Sequence, residues 1–440
     1  MKKIALYLLF IANIFVILWF WWPTNGSLLR GGDVHLALLA AGRLSGLLAV
    51  YFVLCQLTLI GRVKWVESVF GLDRLSRVHH WNGFFVLLFI LAHPVMLIAG
   101  SAGLARVGLV HQFLEFFREY DDVANAVIAL LLFLLVIATS LLIVRRRWRY
   151  ETWYFTHLLT YAAILLAFGH QLEVGSDFQN NPTFVLYWYL LYIVAGGNFV
   201  WFRFLRPLLF FWRHRFYIDR VERETDEVAS VYIGGRNIDQ FPGQAGQFMI
   251  LRFLAKSFWW QAHPFSFSQK PDGRFLRVTI KNVGDFTSNI PALKPGTLVF
   301  IDGPHGVFTE KPETKNKILL IGGGIGITPL RALAEEMIAN GKDVSLLYGN
   351  RSGKNIALKN ELDELAKSRL RVNYVVSDDP SWTGIKGHVN ATVIKNLVPD
   401  FSEREVYLCG PAPMMKSVRS ELSKLGVQAS LVHYEKFSLA

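Results

Sequence analysis

The sequence predicts a multidomain membrane protein, in which a six-helix transmembrane bundle is followed by an antiparallel β-barrel domain and a doubly wound α/β domain. Of the 440 residues, 52% are hydrophobic, and these concentrate in the first half of the chain. Short alternating strands separated by turns begin after about residue 213. From about Lys315, strands alternate with helices, as in a parallel sheet. The domains are expected at 1–213, 214–313 and 314–440.

Six apolar segments are each long enough to cross a bilayer as a helix, since the hydrocarbon core is about 30 Å thick. They lie near residues 4–22, 34–60, 79–100, 123–144, 154–171 and 183–205. The first segment begins with two lysines, as a signal peptide does, but Trp-Trp-Pro follows it instead of a cleavage site. It is therefore expected to be a retained first helix.

Basic residues accumulate in alternate connections between these segments, and in membrane proteins such loops face the cytoplasm. They are Lys2, Lys3, Arg62, Lys64, Arg74, Arg77, Arg145, Arg146, Arg147, Arg149, Arg203, Arg206, Arg213 and Arg215. We expect a multi-pass protein of the cell membrane with both termini in the cytoplasm and the third and fifth spans running outward. The net charge of +12 is explained by loops that meet anionic lipid of the bilayer, so a nucleic-acid partner is not required.

Four histidines lie at two matching depths on the third and fifth spans. His79 and His93 are 14 residues apart, and His157 and His170 are 13 apart, so each pair spans roughly 20 Å of helix. If the spans are parallel, His79 can face His157 and His93 can face His170, each pair offering two axial imidazoles to one haem iron. The alternative is hydrogen-bonded packing residues, but ionisable groups within spans are costly and usually functional.

Two features of the histidine pattern stay open. His80 competes with His79, because it is adjacent and nearly as deep. A separation of 13 residues does not keep two rings on one helical face, so the fifth span needs a local irregularity or a different ring approach.

Arg43 lies inside the second span, where an unpaired guanidinium would be energetically costly. Its expected partner is a haem propionate at the outer level, with snorkelling to the interface as the alternative.

A glycine-rich turn follows the apolar run Lys317–Ile321 and precedes a helical stretch to about Ala339. Such a turn lets backbone amides approach a pyrophosphate, and the helix N-terminus favours its charge. Its candidate nucleotide-binding residues are Gly322, Gly323, Gly324, Gly326, Thr328 and Pro329. The next strand ends at Arg351 and Ser352, where a basic residue suits a 2′-phosphate, so NADPH is favoured over NADH. The alternative is a solvated arginine.

The motifs occur in the order seen in membrane ferric reductases and NADPH oxidases, which the chain resembles over nearly its whole length. They are His263-Pro264-Phe265-Ser266, Gly284-Asp285-Phe286-Thr287, Gly303-Pro304-His305-Gly306, the Gly322 to Pro329 turn and Leu408-Cys409-Gly410-Pro411.

By this resemblance, His263 to Ser266 hold FAD, with Ser266 near the redox-active edge of the flavin. Lys281 and the stretch Gly284 to Thr287 belong to the same FAD site, where the stretch caps the pyrophosphate. Cys409, with Gly410 and Pro411, is implied beside the hydride-transfer site; the alternative is a small buried thiol. Phe437 corresponds to an aromatic residue that stacks on the flavin and must move before nicotinamide enters, although it is equally explained as a core aromatic.

The resemblance implies an oxidoreductase that moves electrons from cytoplasmic NADPH through FAD and two b-type haems to an external one-electron acceptor, ferric iron or dioxygen, as a monomer. A flavin is required because NADPH releases a two-electron hydride and haem iron accepts one electron. Leu97 stands where many oxidases of the family have a further histidine, which counts against an animal-type oxygen site.

Two alternative functions are an electron-supplying partner of another redox protein or quinone, and a proton- or ion-conducting protein without haem. Cys55 and Cys409 imply no disulfide framework.

Overall fold

The structure is a computed structural model that describes residues 1–120, 122–141, 148, 150–174, 181–256, 258–311 and 314–435. These residues divide into two compact units. The first unit comprises Met1–Val69 and Arg74–Arg203, and the second comprises Phe70–Asp73 and Phe204–Ala440.

The first unit is helical. Its helices are α1 (Lys2–Arg30), α2 (Val34–Ile60), α3 (Lys64–Phe70), α4 (Leu72–Ala105), α5 (Leu109–Glu119), α6 (Val123–Ser140), α7 (Tyr150–His157), α8 (Leu159–Val174) and α9 (Pro182–Val200). A π-helical turn, Trp201–Leu205, continues α9 into α10 (Arg206–His214). Among the described residues, five helices have the length and composition to cross a membrane: α1, α2, α4, α6 and the continuous helix Pro182–His214.

Two of the helices, α1 and α4, extend beyond the predicted apolar segments. α1 continues to Arg30 with Pro23 inside it, and α4 begins at Leu72, before the predicted start near residue 79. Hydropathy predicts the part of a helix that lies in the hydrocarbon core, whereas the backbone hydrogen bonds of the helix can continue beyond the membrane boundary. A further helix, α5, was not predicted, because its polar residues interrupt the apolar run.

The predicted fifth span is formed by two helices, α7 and α8, which are interrupted at Leu158. There the Thr160 hydroxyl donates a hydrogen bond to the His157 carbonyl at 2.6 Å, and the Leu158 amide is shared between the carbonyls of Tyr154 and Phe155. A threonine hydroxyl that competes for a helix carbonyl disturbs the regular ladder. The irregularity thus follows His157 directly, where the spacing of the two histidines requires one.

The second unit begins with two three-stranded antiparallel sheets, ordered β1-β2-β5 and β4-β3-β6. The strands are β1 (Tyr217–Thr225), β2 (Val228–Gly234), β3 (Phe248–Phe253), β4 (His263–Ser266), β5 (Leu276–Lys281) and β6 (Val299–His305). The predicted strands Val228 to Ile233 and Phe248 to Phe253 are confirmed. A short helix, α11 (Asp285–Ser288), follows β5.

The rest of the second unit is a six-stranded parallel sheet in the order β10-β9-β8-β7-β11-β12. Its strands are β7 (Lys317–Gly323), β8 (Asp343–Asn350), β9 (Leu370–Val376), β10 (Ile385–Lys386), β11 (Glu405–Cys409) and β12 (Val432–Tyr434). The connecting helices are α12 (Ile327–Ala339), α13 (Lys359–Ala366), α14 (Ala391–Leu397) and α15 (Ala412–Lys424).

Both faces of the parallel sheet are buried. On the central strand β7, Ile318 and Leu320 belong to one hydrophobic cluster, while Leu319 and Ile321 belong to another. Successive side chains of a strand point to opposite faces, so helices cover the sheet on both sides. This explains why the sequence reads there as an unbroken apolar run.

Candidate functional site

The four histidines face one another in the predicted pairs. The ring centroids of His79 and His157 are 6.2 Å apart, and those of His93 and His170 are 6.4 Å apart. A metal bound at about 2.0 Å from one nitrogen of each ring would hold two centroids about 6 Å apart. His80 is exposed and makes edge-on ring contacts with Trp81 and Phe84. The structure therefore brings His79, and not His80, to His157.

His93 is fixed by close packing of α4 against α2. Its Nδ1 lies 2.8 Å from the carbonyl oxygen of Gly42, which can only accept, so Nδ1 carries the proton. A Cβ at Gly46 would stand 2.7 Å from the same nitrogen, and one at Gly42 would stand 2.9 Å from Leu97 Cδ2. The Gly42 and Gly46 pair thus allows the two helices to approach, as small residues do in membranes. Nε2 of His93 keeps its lone pair.

His157 is fixed in the same tautomer by Ser140. The Ser140 hydroxyl donates its proton to the Val136 carbonyl at 2.7 Å and accepts from Trp153 Nε1 at 3.2 Å. It lies 3.2 Å from His157 Nδ1, so that nitrogen must donate. Metal-ligating histidines commonly donate their second ring nitrogen in this way, which orients the ring and raises its basicity.

The residues present fit two bis-histidine haem sites. The Nδ1 atoms of His79 and His170 are buried and have no hydrogen-bond partner among the described residues. Together with the ring spacings and the Nδ1 protons of His93 and His157, this indicates imidazoles that can bind a metal through Nε2. Arg43, next to Gly42, donates to Asn25 Oδ1 at 3.3 Å. Asn25 is fully buried, so the guanidinium has an uncharged partner on α1.

The two segments predicted to hold FAD meet at Phe286. The His263 ring centroid is 4.0 Å from that of Phe286, and the Phe265 ring stacks at 6.3 Å. Phe286 is buried, so its ring holds the two segments together. Beside it, Thr287 Oγ1 accepts from the amides of Val283 at 2.8 Å and Gly284 at 3.1 Å.

The remaining predicted FAD residues lie on or beside these segments. Ser266 ends β4 and is 9% exposed. Pro264 pairs with Ile250 in the strand register, and Asp285 opens α11 in an exposed position. Lys281 ends β5 and pairs with Glu227 at 3.1 Å.

The glycine-rich turn joins β7 to α12 and packs directly against the Cys409 loop. A Cβ at Gly326 would stand 2.5 Å from the Cys409 carbonyl oxygen, and one at Gly323 would stand 2.1 Å from Met414 Sδ. Gly324 has a φ of +52°, in the left-handed region. In the sheet register, Cys409 is paired with Gly322. The structure thus brings together the two motifs that the sequence placed at the nucleotide site.

Within these motifs, three side chains have defined positions. The Thr328 hydroxyl donates to the Ile325 carbonyl at 3.1 Å, next to Pro329. Cys409 is 1% exposed, as in the alternative of a small buried thiol. Burial raises the pKa of that thiol, and the Glu435 carboxylate raises it further, so it stays protonated at neutral pH and is a poor nucleophile. Phe437 lies outside the described residues.

The end of β8 carries a cation and is contacted by a carboxylate that follows β9. Arg351 is exposed, but the Ser352 hydroxyl donates to Asp379 Oδ2 at 3.1 Å, and the Gly353 amide donates to the same oxygen at 3.0 Å. Hydrogen bonds from Ser381, Gly353 and Ser352 lower the pKa of Asp379 to about 2. Asp379, which sequence reasoning missed, thus places a negative charge where a 2′-phosphate was expected.

Three protein-family models match successive parts of the chain. The family described as ferric reductase like transmembrane component matches residues 45–168. An FAD-binding domain matches 220–309, and an oxidoreductase NAD-binding domain matches 320–420. The chain is therefore a multi-pass membrane protein with FAD- and NAD-binding domains, and its architecture is like that of ferric reductases and NADPH oxidases.

Similar proteins match parts of the chain. NADH-cytochrome b5 reductase 2 of Scheffersomyces stipitis is 37% identical over 143 residues, which are 31% of this chain and 48% of that protein. Flavohemoprotein B of Dictyostelium discoideum is 28% identical over 256 residues, 50% of this chain and 58% of that protein. The chain thus spans about half the length of these relatives. A solved ferredoxin reductase in carbazole 1,9a-dioxygenase is 29% identical, with a TM-score of 0.46, covering 51% of this chain and 68% of its own.

Proposed function

We propose, from this ferric reductase/NADPH oxidase-like architecture, that the chain moves electrons from cytoplasmic NADPH through FAD and two b-type haems to an acceptor outside the membrane, ferric iron or dioxygen. The observation that carries the proposal is that two histidine pairs face each other at 6.2 and 6.4 Å in the first half of the chain, while the second half matches FAD- and NAD-binding domains. Four packing histidines would not need this spacing twice.

In this proposal, the residues of the chain bind the cofactors, orient them and insulate them from their surroundings. When bound, FAD would accept a two-electron hydride and pass on single electrons, and haem iron would carry one electron at a time. Gly42 and Ser140 hold the protons of His93 and His157 on Nδ1, so Nε2 is the nitrogen of each ring that would bind the metal. The turn around Gly324 exposes backbone to the pyrophosphate without a side chain in the way. The buried, protonated Cys409 shapes the nicotinamide side without reacting.

The orientation and partners follow from charge. The basic connections support a cytoplasmic position for both termini, beside NADPH, with anionic lipid around the helices. Electrons then leave on the outer side, from the level of His93 and His170. A monomer suffices for this role, because each haem is held by two histidines of one chain.

Two measurements on the detergent-solubilised protein test the proposal. The absorption spectrum should show a Soret band, with two haems and one FAD per chain. NADPH should then be consumed with dioxygen, read as superoxide, or with a ferric chelate, read as ferrous iron. A protein without a Soret band would favour proton or ion conduction. Haems that NADPH reduces but neither acceptor oxidises would favour an electron-supplying partner of a redox protein or quinone.

Arg351 and Asp379 should move the coenzyme preference in opposite directions. Arg351→Ala is expected to raise the KM for NADPH about tenfold, which corresponds to about 1.4 kcal/mol, and to leave the KM for NADH unchanged. Asp379→Asn should lower the KM for NADPH, because it removes a negative charge from the site of the 2′-phosphate. Steady-state turnover with both coenzymes measures this.

Arg369→Ala is the matched control, because Arg369 is exposed and precedes β9, at the amino-terminal end of the strands, whereas Arg351 follows the carboxyl end of β8. It should change neither KM. If Arg351→Ala raised the KM for NADH as much as that for NADPH, the arginine would not recognise the 2′-phosphate.

A further inference from the structure

A buried arginine of the antiparallel part is paired with a carboxylate of the α/β part. Arg277 on β5 is 2% exposed, and its Nη2 donates to Glu361 Oε2 on α13 at 2.9 Å. Its Nη1 contacts the other oxygen of the same carboxylate. This two-pronged contact is the strongest geometry for an arginine and a carboxylate.

The same carboxylate also holds the helix that starts at the glycine-rich turn. Arg331, in the second turn of α12, places its Nε 2.9 Å from Glu361 Oε2. Arg331 is also paired with Glu335, whose Oε2 accepts from the Lys270 amide at 3.0 Å. Glu361 therefore stands between two guanidinium groups, one from β5 and one from α12, and the turn Gly324–Gly326 packs against β5 beside them.

Glu361 supplies the negative charge that pairs with the buried Arg277 guanidinium. The other hydrogen-bond partners of Arg277 are uncharged: Ser268 Oγ at 3.1 Å, the Ser268 carbonyl at 2.8 Å and the Tyr232 hydroxyl at 3.3 Å. Among the described residues, Glu361 is the only carboxylate within ion-pair distance of Arg277. Burial alone would raise the pKa of Glu361, but the bonds and charges of Arg277 and Arg331 outweigh it and lower that pKa. The carboxylate is thus ionised at neutral pH.

We propose that Glu361 is a positioning residue for hydride transfer, because it holds α12 and its glycine-rich turn against β5 and so sets the distance between nicotinamide and flavin. This inference rests on the proposed function. In that step a hydride leaves the nicotinamide ring, giving NADP⁺, and adds to oxidised flavin, giving its two-electron-reduced anion. Glu361 contributes no atom or electron. Reacting atoms must approach to about 3–3.5 Å, and a displacement of about 1 Å can cost about a hundredfold in rate.

The test is anaerobic stopped-flow reduction of the flavin by NADPH in the full-length, FAD-loaded protein. Glu361→Gln should lower the limiting rate constant at least about tenfold and weaken the charge-transfer absorbance of the nicotinamide–flavin pair. The dissociation constant of the nucleotide should change less than about twofold, since the pyrophosphate site stays intact. Glu361→Asp, which keeps the charge on a shorter side chain, should give an intermediate rate, and it decides the matter if the glutamine variant is not recovered folded.

Glu364→Gln is the matched control, because Glu364 lies on the same helix in an exposed pair with Lys367. It should behave as wild type. Wild-type rates and charge-transfer absorbance in Glu361→Gln would overturn the inference, as would a rate loss that only follows loss of FAD. Wild-type protein whose flavin NADPH does not reduce would instead overturn the proposed function.

Discussion

Replacement of His157 by alanine is expected to remove the inner haem and to abolish NADPH-driven reduction of the outer haem. His157 is one of two imidazoles at that level, facing His79 at 6.2 Å, and one remaining axial ligand holds haem weakly. Reduction of a soluble dye through FAD should stay near the wild-type rate, because the FAD and NAD domains lie elsewhere in the chain. The pyridine haemochrome assay should show about one haem per chain in place of about two.

His80→Ala is the control for this variant, since His80 neighbours His79 but is exposed and makes an edge-on ring contact with Trp81. It should retain both haems and full electron flow. If His157→Ala also retained both haems, with an unchanged spectrum, the assignment of His157 as a ligand would be wrong. If His80→Ala lost one haem, the choice of His79 over His80 would be wrong.

Much of the membrane part was predictable because it depends on composition and spacing. Apolar length predicts the spans, and the similar separations of 14 and 13 residues on two spans pair His79 with His157 and His93 with His170. The Thr160 hydroxyl bond that interrupts the fifth span was not predictable as such, although a spacing of 13 residues required some irregularity there. The contact of His93 with Gly42 joins residues 51 apart in the chain, and no local pattern reports such a contact.

In the second unit, too, the local elements were predictable and the contacts between distant residues were not. Alternating apolar residues predicted β2 and β3, and the run before the glycines predicted β7, because periodicity is a local property. Charges that meet across the fold were not predictable: Arg277 and Glu361 are 84 residues apart. Similarly, Arg351 and Ser352 alone suggested a phosphate site, whereas Asp379 reaches Ser352 from the end of the neighbouring strand.

Gly46→Ala is expected to remove or displace the outer haem although residue 46 is not a ligand. The added Cβ would stand 2.7 Å from His93 Nδ1 and 2.8 Å from Cε1, closer than such atoms can approach. The ring cannot simply turn away, because its Nδ1 is bound to Gly42 and its other side faces His170. Moving it breaks one of these contacts, and overpacking of this kind costs about 1–3 kcal/mol.

The measurement is haem content together with a potentiometric titration of the haem bands. Gly46→Ala should show one component with the inner haem's potential, or a second component with an altered potential and spectrum. Gly196→Ala, whose Cβ meets nothing within 4 Å, should match wild type in both respects. Because the histidine ligands are untouched, an effect confined to Gly46→Ala would show that the approach of α2 to α4 holds His93 in place. Two haems with unchanged potentials in that variant would mean that His93 does not need this packing to bind iron.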